Sequence, residues 1–126
     1  MPDQLNSISP LDGRYNKDVA VLSHYFSESA LMRYRLQVEI EYLIALSNEN
    51  KITALPKIPK TIQTTLRKLY EKFDSRAARR IKKIETQTNH DVKAIEKYIS
   101  EKLNKININT FIPWVHFGLT SEDVNN

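Results

Sequence analysis

Three short polar motifs contain the residue types that could bind or transform a ligand. They are SPLDGRY at residues 9–15, TNHD at residues 88–91 and HFGLTSED at residues 116–123. Each motif combines turn-forming residues with charged, hydroxyl, amide or imidazole groups. These groups are suited to contacts with phosphate or carboxylate, so anion binding is the first chemistry to consider.

The first motif predicts a tight loop. Pro10 and the Asp12-Gly13 pair favour turns, so Arg14 and Tyr15 would be displayed where the loop ends. A guanidinium can hold a phosphate or carboxylate at two points, and the tyrosine adds a hydroxyl or a stacking face. Judged by spacing alone, an ordinary N-terminal turn with a surface arginine is the commoner structure.

The other two motifs share a Thr-x-x-Asp pattern, formed by Thr88 with Asp91 and by Thr120 with Asp123. This pattern predicts a helix N-terminus that is capped by the threonine. A helix start presents unpaired amides and a partial positive charge, so two of them would suit a ligand with several anionic groups. One such start on its own is more often a simple helix cap.

The three histidines indicate no local metal site. His90 could transfer protons, because its unperturbed pKa is about 6.5, but a lone histidine more often bonds a neighbouring carbonyl or carboxylate. His116 lies between Trp114 and Phe117, which favours a structural role, and His24 is expected on a helix surface. The histidines are scattered and the chain has no cysteine, so neither a metal nor a thiol nucleophile is expected.

Apolar residues at spacings of three and four predict an all-α fold. The predicted helices cover about 17–26, 29–48, 58–73, 77–84 and 92–105, with only weak strand signals near 106–112. In the second helix the predicted core stripe is Leu31, Tyr34, Val38, Tyr42 and Ala45. A second stripe widens the buried face and consists of Leu36, Ile40 and Leu43.

Length and composition favour one soluble, cytoplasmic domain. The 126 residues contain no apolar run of the roughly 18 residues that a membrane span needs, and the N-terminus lacks a signal pattern. The net charge of +4 favours small anions at least as much as nucleic acid. Basic residues are concentrated between 67 and 83, which we interpret as a solvated helix surface in preference to a dedicated polyanion site.

Together, SPLDGRY, TNHDVKA and HFGLTSEDVNN resemble the adenylosuccinate lyase family, in its longer bacterial form. The resemblance covers nearly the whole chain. It implies the N-terminal helical domain of the fumarase/aspartase superfamily, whose members are α-helical homotetramers with active sites built from several subunits. The implied activity is elimination of fumarate from adenylosuccinate, giving AMP, and from SAICAR, giving AICAR. No metal or organic cofactor, nucleic acid or membrane partner is implied.

The resemblance also assigns residue roles. Substrate binding falls to Arg14, Tyr15, Asn89, His90, Asp91, Thr120 and Ser121, with Arg14 and Tyr15 at the nucleotide and the last pair near the succinyl carboxylates. His116 and Asp123 would support the site. In this family the acid is a histidine in a Thr-His-Gly segment and the base a serine in a Ser-Ser-x-Met-Pro loop. Neither segment occurs here, so no catalytic residue is predicted and the chain alone should be inactive.

The position of the last motif predicts a truncated sequence. A helix that starts at Thr120 needs roughly 12 residues or more to be even marginally stable alone. We therefore expect a substrate-binding domain at 1–119, with 120–126 as the first turn of a central helical domain. Three alternatives remain open, namely a free-standing helical module that binds a nucleotide or acidic partner through 67–83, a purely structural helical domain, and a related lyase or cycloisomerase.

Overall fold

The computed structural model describes residues 3–126, and every regular element in that range is helical. The α-helices are α1 (Asn16–Val19), α2 (Ser23–Phe26), α3 (Glu28–Asn48), α4 (Lys60–Glu71), α5 (Ser75–Thr88), α6 (Asp91–Lys105) and α7 (Ser121–Asn125). Short 3-10 segments occur at Gln4–Asn6, Ala20–Leu22 and Asn109–Trp114. The all-α prediction is confirmed.

Residues 106–112, where the sequence carries only a weak strand signal, form no strand. Asn107 has a left-handed backbone with φ of 59°, which interrupts any extended run, and a 3-10 helix follows from Asn109. Pro113, inside that segment, has no amide hydrogen to contribute to a sheet. None of the helices within residues 3–126 combines the length and apolar character that a bilayer span requires.

The chain forms two compact units, and the boundary between them falls after Leu31. The first unit contains the SPLDGRY loop, α1 and α2. Its large apolar side chains are mostly exposed, among them Leu5, Ile8 and Phe26. The second unit runs from Met32 to Asn126 and contains the hydrophobic core.

The core of the second unit is built from the apolar stripes of α3 to α6. Its most deeply buried apolar side chains are Leu36, Ile40, Leu43, Leu66, Ile81, Val92, Ile95, Ile99 and Leu103. Full burial of one such side chain contributes about 1.5–3 kcal/mol. Helix α5 packs against α6, which in turn packs against the 3-10 segment at Asn109–Trp114.

The buried face of α3 is narrower than predicted, because only the second of its two predicted stripes is buried. Leu31, Tyr34 and Val38 are 38–39% exposed, whereas the stripe of Leu36 and Ile40 is completely buried. Helix α3 is apolar on both stripes, so periodicity could not distinguish the core-facing one. The face that is buried also contains two charged residues, Arg35 and Glu39.

Local chemistry explains where α5 begins and ends. The Asp74 carboxylate accepts a hydrogen bond from the Ala77 amide at 2.9 Å and so caps the first turn. At the other end, Asn89 adopts a left-handed conformation with φ of 52° and its amide donates to the carbonyl of Glu85. This reversal leads directly into α6, so the TNHD motif forms the turn between two core helices.

Candidate functional site

The predicted tight loop is present in the first unit. The Asp12 carboxylate accepts from the Ser9 amide at 2.7 Å and the Ile8 amide at 3.2 Å. The bond from the Ser9 amide is the main reason that the pKa of Asp12 is lowered. A Cβ atom on Gly13 would lie 2.6 Å from the carbonyl oxygen of Gln4, so the loop closes more tightly than a side chain at this position would allow.

Arg14 and Tyr15 follow this loop, as predicted. The Arg14 guanidinium lies 5.3 Å from the centre of the Tyr15 ring, within the range of a cation–π contact. Both side chains line a cavity of about 390 Å³, together with Gln4, Leu5 and residues 7–10. The loop therefore presents an arginine fork beside an aromatic face, a combination suited to a phosphate attached to a planar group.

In the second motif, the prediction of Thr88 as a helix cap is wrong. Thr88 is the last residue of α5, and its hydroxyl donates to the carbonyl of His90 at 2.9 Å. The cap of α6 is His90, whose Nδ1 accepts from the Lys93 amide at 3.1 Å. Helix α6 does begin at the predicted place, but an imidazole nitrogen takes the role expected of the hydroxyl.

This cap determines the tautomer of His90. Because Nδ1 accepts a hydrogen bond, the proton of the neutral ring is assigned to Nε2, which is then a donor. The side chain is 53% exposed, so this donor is available to a ligand. Asn89 lies just before it in the left-handed turn.

Asp91 is held by a buried arginine that the sequence analysis did not identify. Arg35, 8% exposed, places Nη2 2.8 Å from Asp91 Oδ2, and its Nε donates to Asn125 Oδ1 at 2.8 Å. Burial raises the pKa of Asp91, but the Val92 amide and the Arg35 guanidinium outweigh that effect, so the pKa is lowered. One side chain of α3 thus joins the second motif to α7, the helix that begins within the third motif.

The third motif forms the predicted helix start. The Asp123 carboxylate accepts from both the backbone amide of Thr120, at 2.7 Å, and its hydroxyl, at 3.0 Å. These bonds lower the pKa of Asp123, the backbone amide contributing most. Ser121 is the first residue of α7, and Val124 anchors the helix by its burial.

His116 contacts a second buried charge on α3. Its Nδ1 lies in short hydrogen-bond contact with Glu39 Oε1, while Glu39 Oε2 is buried with no partner in the described part of the chain. Burial is the main reason that the pKa of Glu39 is raised, although the His116 contact opposes it. His116 adopts a left-handed backbone with φ of 64°, and Gly118 follows with φ of 75°. The loop is further fixed by Tyr42, whose hydroxyl donates to the Phe117 carbonyl at 2.8 Å.

Arg35 and Glu39 therefore form a polar ladder, one helical turn apart on α3, that holds parts of the second and third motifs. The sequence analysis missed both residues and Asn125. The available signal was two charges at i and i+4 beside Leu36 and Ile40, on a stripe otherwise suited to the core. Among residues 3–126, no three His, Asp or Glu side chains are grouped closely enough to hold a metal ion.

Comparison with known proteins identifies the family of this chain. A family model described as Lyase matches residues 13–126, and the chain belongs to this lyase family. The relatives it resembles are adenylosuccinate lyases, which confirms the resemblance. The chain is 46% identical over 127 residues to that of Dictyostelium discoideum and 42% identical over 125 residues to that of Buchnera aphidicola from Schizaphis graminum. These alignments cover 98% of this chain but only 27% of each relative, so the chain spans about a quarter of their length.

Proposed function

We propose that the protein acts as a carbon–nitrogen lyase that eliminates fumarate from adenylosuccinate, giving AMP, and from SAICAR, giving AICAR. Support comes from the lyase family match and from relatives named adenylosuccinate lyase that align with nearly the whole chain. By the same resemblance, we propose a cytoplasmic homotetramer that serves purine nucleotide biosynthesis. We also propose that residues 1–119 form the substrate-binding domain and that 120–126 begin the central helical domain.

The proposed substrates carry a phosphate and two carboxylates, and the chain offers donors for each. Arg14 and Tyr15 are proposed for the phosphate-bearing nucleotide, because the loop displays a guanidinium beside an aromatic ring. Asn89, His90 and Asp91 are proposed as a second contact segment. Within it, the Nε2–H of His90 is the group free to donate, since Nδ1 is used by the α6 cap.

Thr120 and Ser121 are proposed for the succinyl carboxylates. Their position is fixed by Asp123 from within the motif and by Arg35 through Asn125. The contact of Arg35 with both Asp91 and Asn125 is the observation that carries the proposal. It ties together two segments that the resemblance assigns to one substrate, although they are far apart in sequence.

Fumarate elimination requires three kinds of group. A base removes a proton from the carbon beside a carboxylate, donors stabilise the resulting charge, and an acid protonates the leaving nitrogen. The 126 residues supply donors, and we assign the acid and base to the Thr-His-Gly and Ser-Ser-x-Met-Pro segments implied by the family. Accordingly, the 126-residue chain alone is expected to release no fumarate.

The test is a fumarate-release assay on the full-length protein and its Arg14→Ala variant. Loss of a two-point, charge-assisted contact should lower kcat/KM by about 100-fold or more. Lys17→Ala is the matched control, because it removes a neighbouring exposed cation of α1. Absence of adenylosuccinate cleavage by the wild-type protein would reject the activity. Equal effects of the two variants would reject the role of Arg14.

A further inference from the structure

A cavity of about 480 Å³ lies among α4, α5 and α6, and no residue of the three motifs lines it. Six cationic side chains surround this cavity, which we call the basic groove. They are Lys68, Lys72, Arg76, Arg80, Lys102 and Lys105. Its volume lies within the range of about 300–1,000 Å³ that is typical of small-molecule sites.

The basic groove contains the excess positive charge of the chain. Its six cations are accompanied by two carboxylates, those of Asp74 and Glu101, giving a local net charge of +4. This equals the formal net charge of all 126 residues, so the rest of the chain is balanced. The sequence interpretation placed the basic residues of 67–83 around a solvated helix surface. Four of those residues are exposed, as interpreted, and they also line this one cavity.

Both carboxylates of the groove are already engaged. Asp74 caps α5 through the Ala77 amide, and Glu101 pairs with Arg80, whose Nε lies 3.1 Å from Glu101 Oε2. In contrast, Lys68, Lys72, Arg76 and Lys105 form no ion pair with any carboxylate in residues 3–126. Four cations therefore face one cavity without a direct ion-pair partner, and a bound anion would relieve the mutual repulsion among them.

Helix stability explains only some of these positions. Lys68 and Lys105 lie in the last turns of α4 and α6, where the helix dipole favours a cation. Arg76 lies in the first turn of α5, where the same dipole disfavours a cation, and the Asp74 carboxylate that caps this helix forms no ion pair with it. The position of Arg76 in the groove is therefore not accounted for by the stability of its own helix.

We propose that the basic groove binds a compact ligand with several phosphate groups, at a site to which the three motifs contribute no residue. Lys68, Lys72, Arg76 and Lys105 bind the phosphate oxygens, and the partly buried Leu69 and Ala77 form an apolar floor. The net excess of positive charge is concentrated at one cavity. This concentration favours a compact polyphosphate over a nucleic-acid strand.

The test is calorimetric titration of the full-length protein with inorganic triphosphate, at about 0.15 M salt to screen weak surface contacts. The groove variant is Lys72→Gln/Arg76→Gln. The matched control is Arg79→Gln/Lys83→Gln, which removes the same charge types from exposed positions of α5 outside the cavity. The groove variant should weaken binding at least about tenfold, while the control should change Kd by less than about threefold.

A second pair, Lys68→Gln/Lys105→Gln, keeps the test decisive if the first variant does not fold. Equal weakening by the groove and control variants, or no binding by the wild-type protein at millimolar triphosphate, would overturn the proposal. Tighter, groove-dependent binding of single-stranded RNA or DNA would overturn the compact-ligand class. The groove variant should also keep its fumarate release, which separates failure of this proposal from failure of the proposed activity.

Discussion

Replacement of Glu39 by glutamine should change how stability depends on pH. Glu39 is completely buried, one of its carboxylate oxygens has no partner within residues 3–126, and burial raises its pKa above the ordinary value of 4.5. The folded state therefore keeps the Glu39 carboxyl group protonated to a higher pH than the unfolded state does. The contribution of Glu39 to the free energy of unfolding should be most favourable below pH 4.5 and decline as pH rises through the folded-state pKa.

The size of the effect follows from proton linkage. One proton held by the folded state and lost by the unfolded state changes the free energy of unfolding by at most about 1.4 kcal/mol per pH unit. Glutamine has nearly the same shape and can still hydrogen-bond His116 Nδ1, but it does not ionise. The free energy of unfolding of Glu39→Gln, minus that of the wild type, should therefore rise with pH above about 4.5 and then level off.

Urea unfolding of the 126-residue chain, repeated across pH, measures this difference. Trp114 is the sole tryptophan and its ring packs 4.8 Å from that of Phe117, so its fluorescence reports directly on the loop that contains His116. Glu71→Gln, which removes an exposed carboxylate of α4, should stay within about 0.5 kcal/mol of the wild type at every pH. A difference for Glu39→Gln that is flat, or that falls with rising pH, would show that His116 holds Glu39 ionised and that burial does not dominate.

Substitutions at three further positions test other parts of the structure. Arg35→Met should lower the free energy of unfolding in urea by about 1–2 kcal/mol, because a charge-assisted bond to Asp91 is lost while Asp91 remains half-exposed and hydrated. An effect no larger than that of the exposed control Arg79→Met would contradict a stabilising contact between Arg35 and Asp91. In the same assay His90→Ala should lower the free energy of unfolding by about 1 kcal/mol, and His90→Asn by much less, since asparagine can also cap α6. Equal losses of stability in the two variants would argue against the imidazole cap. Gly13→Ala should speed protease cleavage within residues 4–15, because the added Cβ would clash with the backbone carbonyl of Gln4. An unchanged cleavage rate would refute this close packing.

The sequence was sufficient to predict structural features that depend on residues close together in the chain. The Asp12-Gly13 loop and the Thr120–Asp123 helix start are stabilised by bonds that span three or four residues, so local patterns predicted both. The helices α3 to α6 were predicted for a similar reason, since their apolar residues recur at helical spacing. The cap of α6 was assigned to the wrong residue, because threonine is a far commoner cap than histidine.

The sequence was insufficient to predict contacts between side chains that lie far apart along the chain. Arg35 and Glu39 looked like ordinary charges on a long helix, and only the folded chain shows that they contact Asn125 and His116. The burial of only one of the two predicted stripes of α3 has the same origin. Both have enough hydrophobicity to form a core, and the packing of α4 to α6 decides which one does.

The polar ladder of α3 also has a consequence for folding kinetics. The bond from Arg35 to Asn125 joins residues 90 positions apart, and the contact of Glu39 with His116 joins residues 77 apart. Closing loops of this length costs more chain entropy than forming the adjacent pair of α5 and α6, so the local pair should form first and the ladder late. Substitutions in the ladder should therefore accelerate unfolding while leaving the folding rate nearly unchanged.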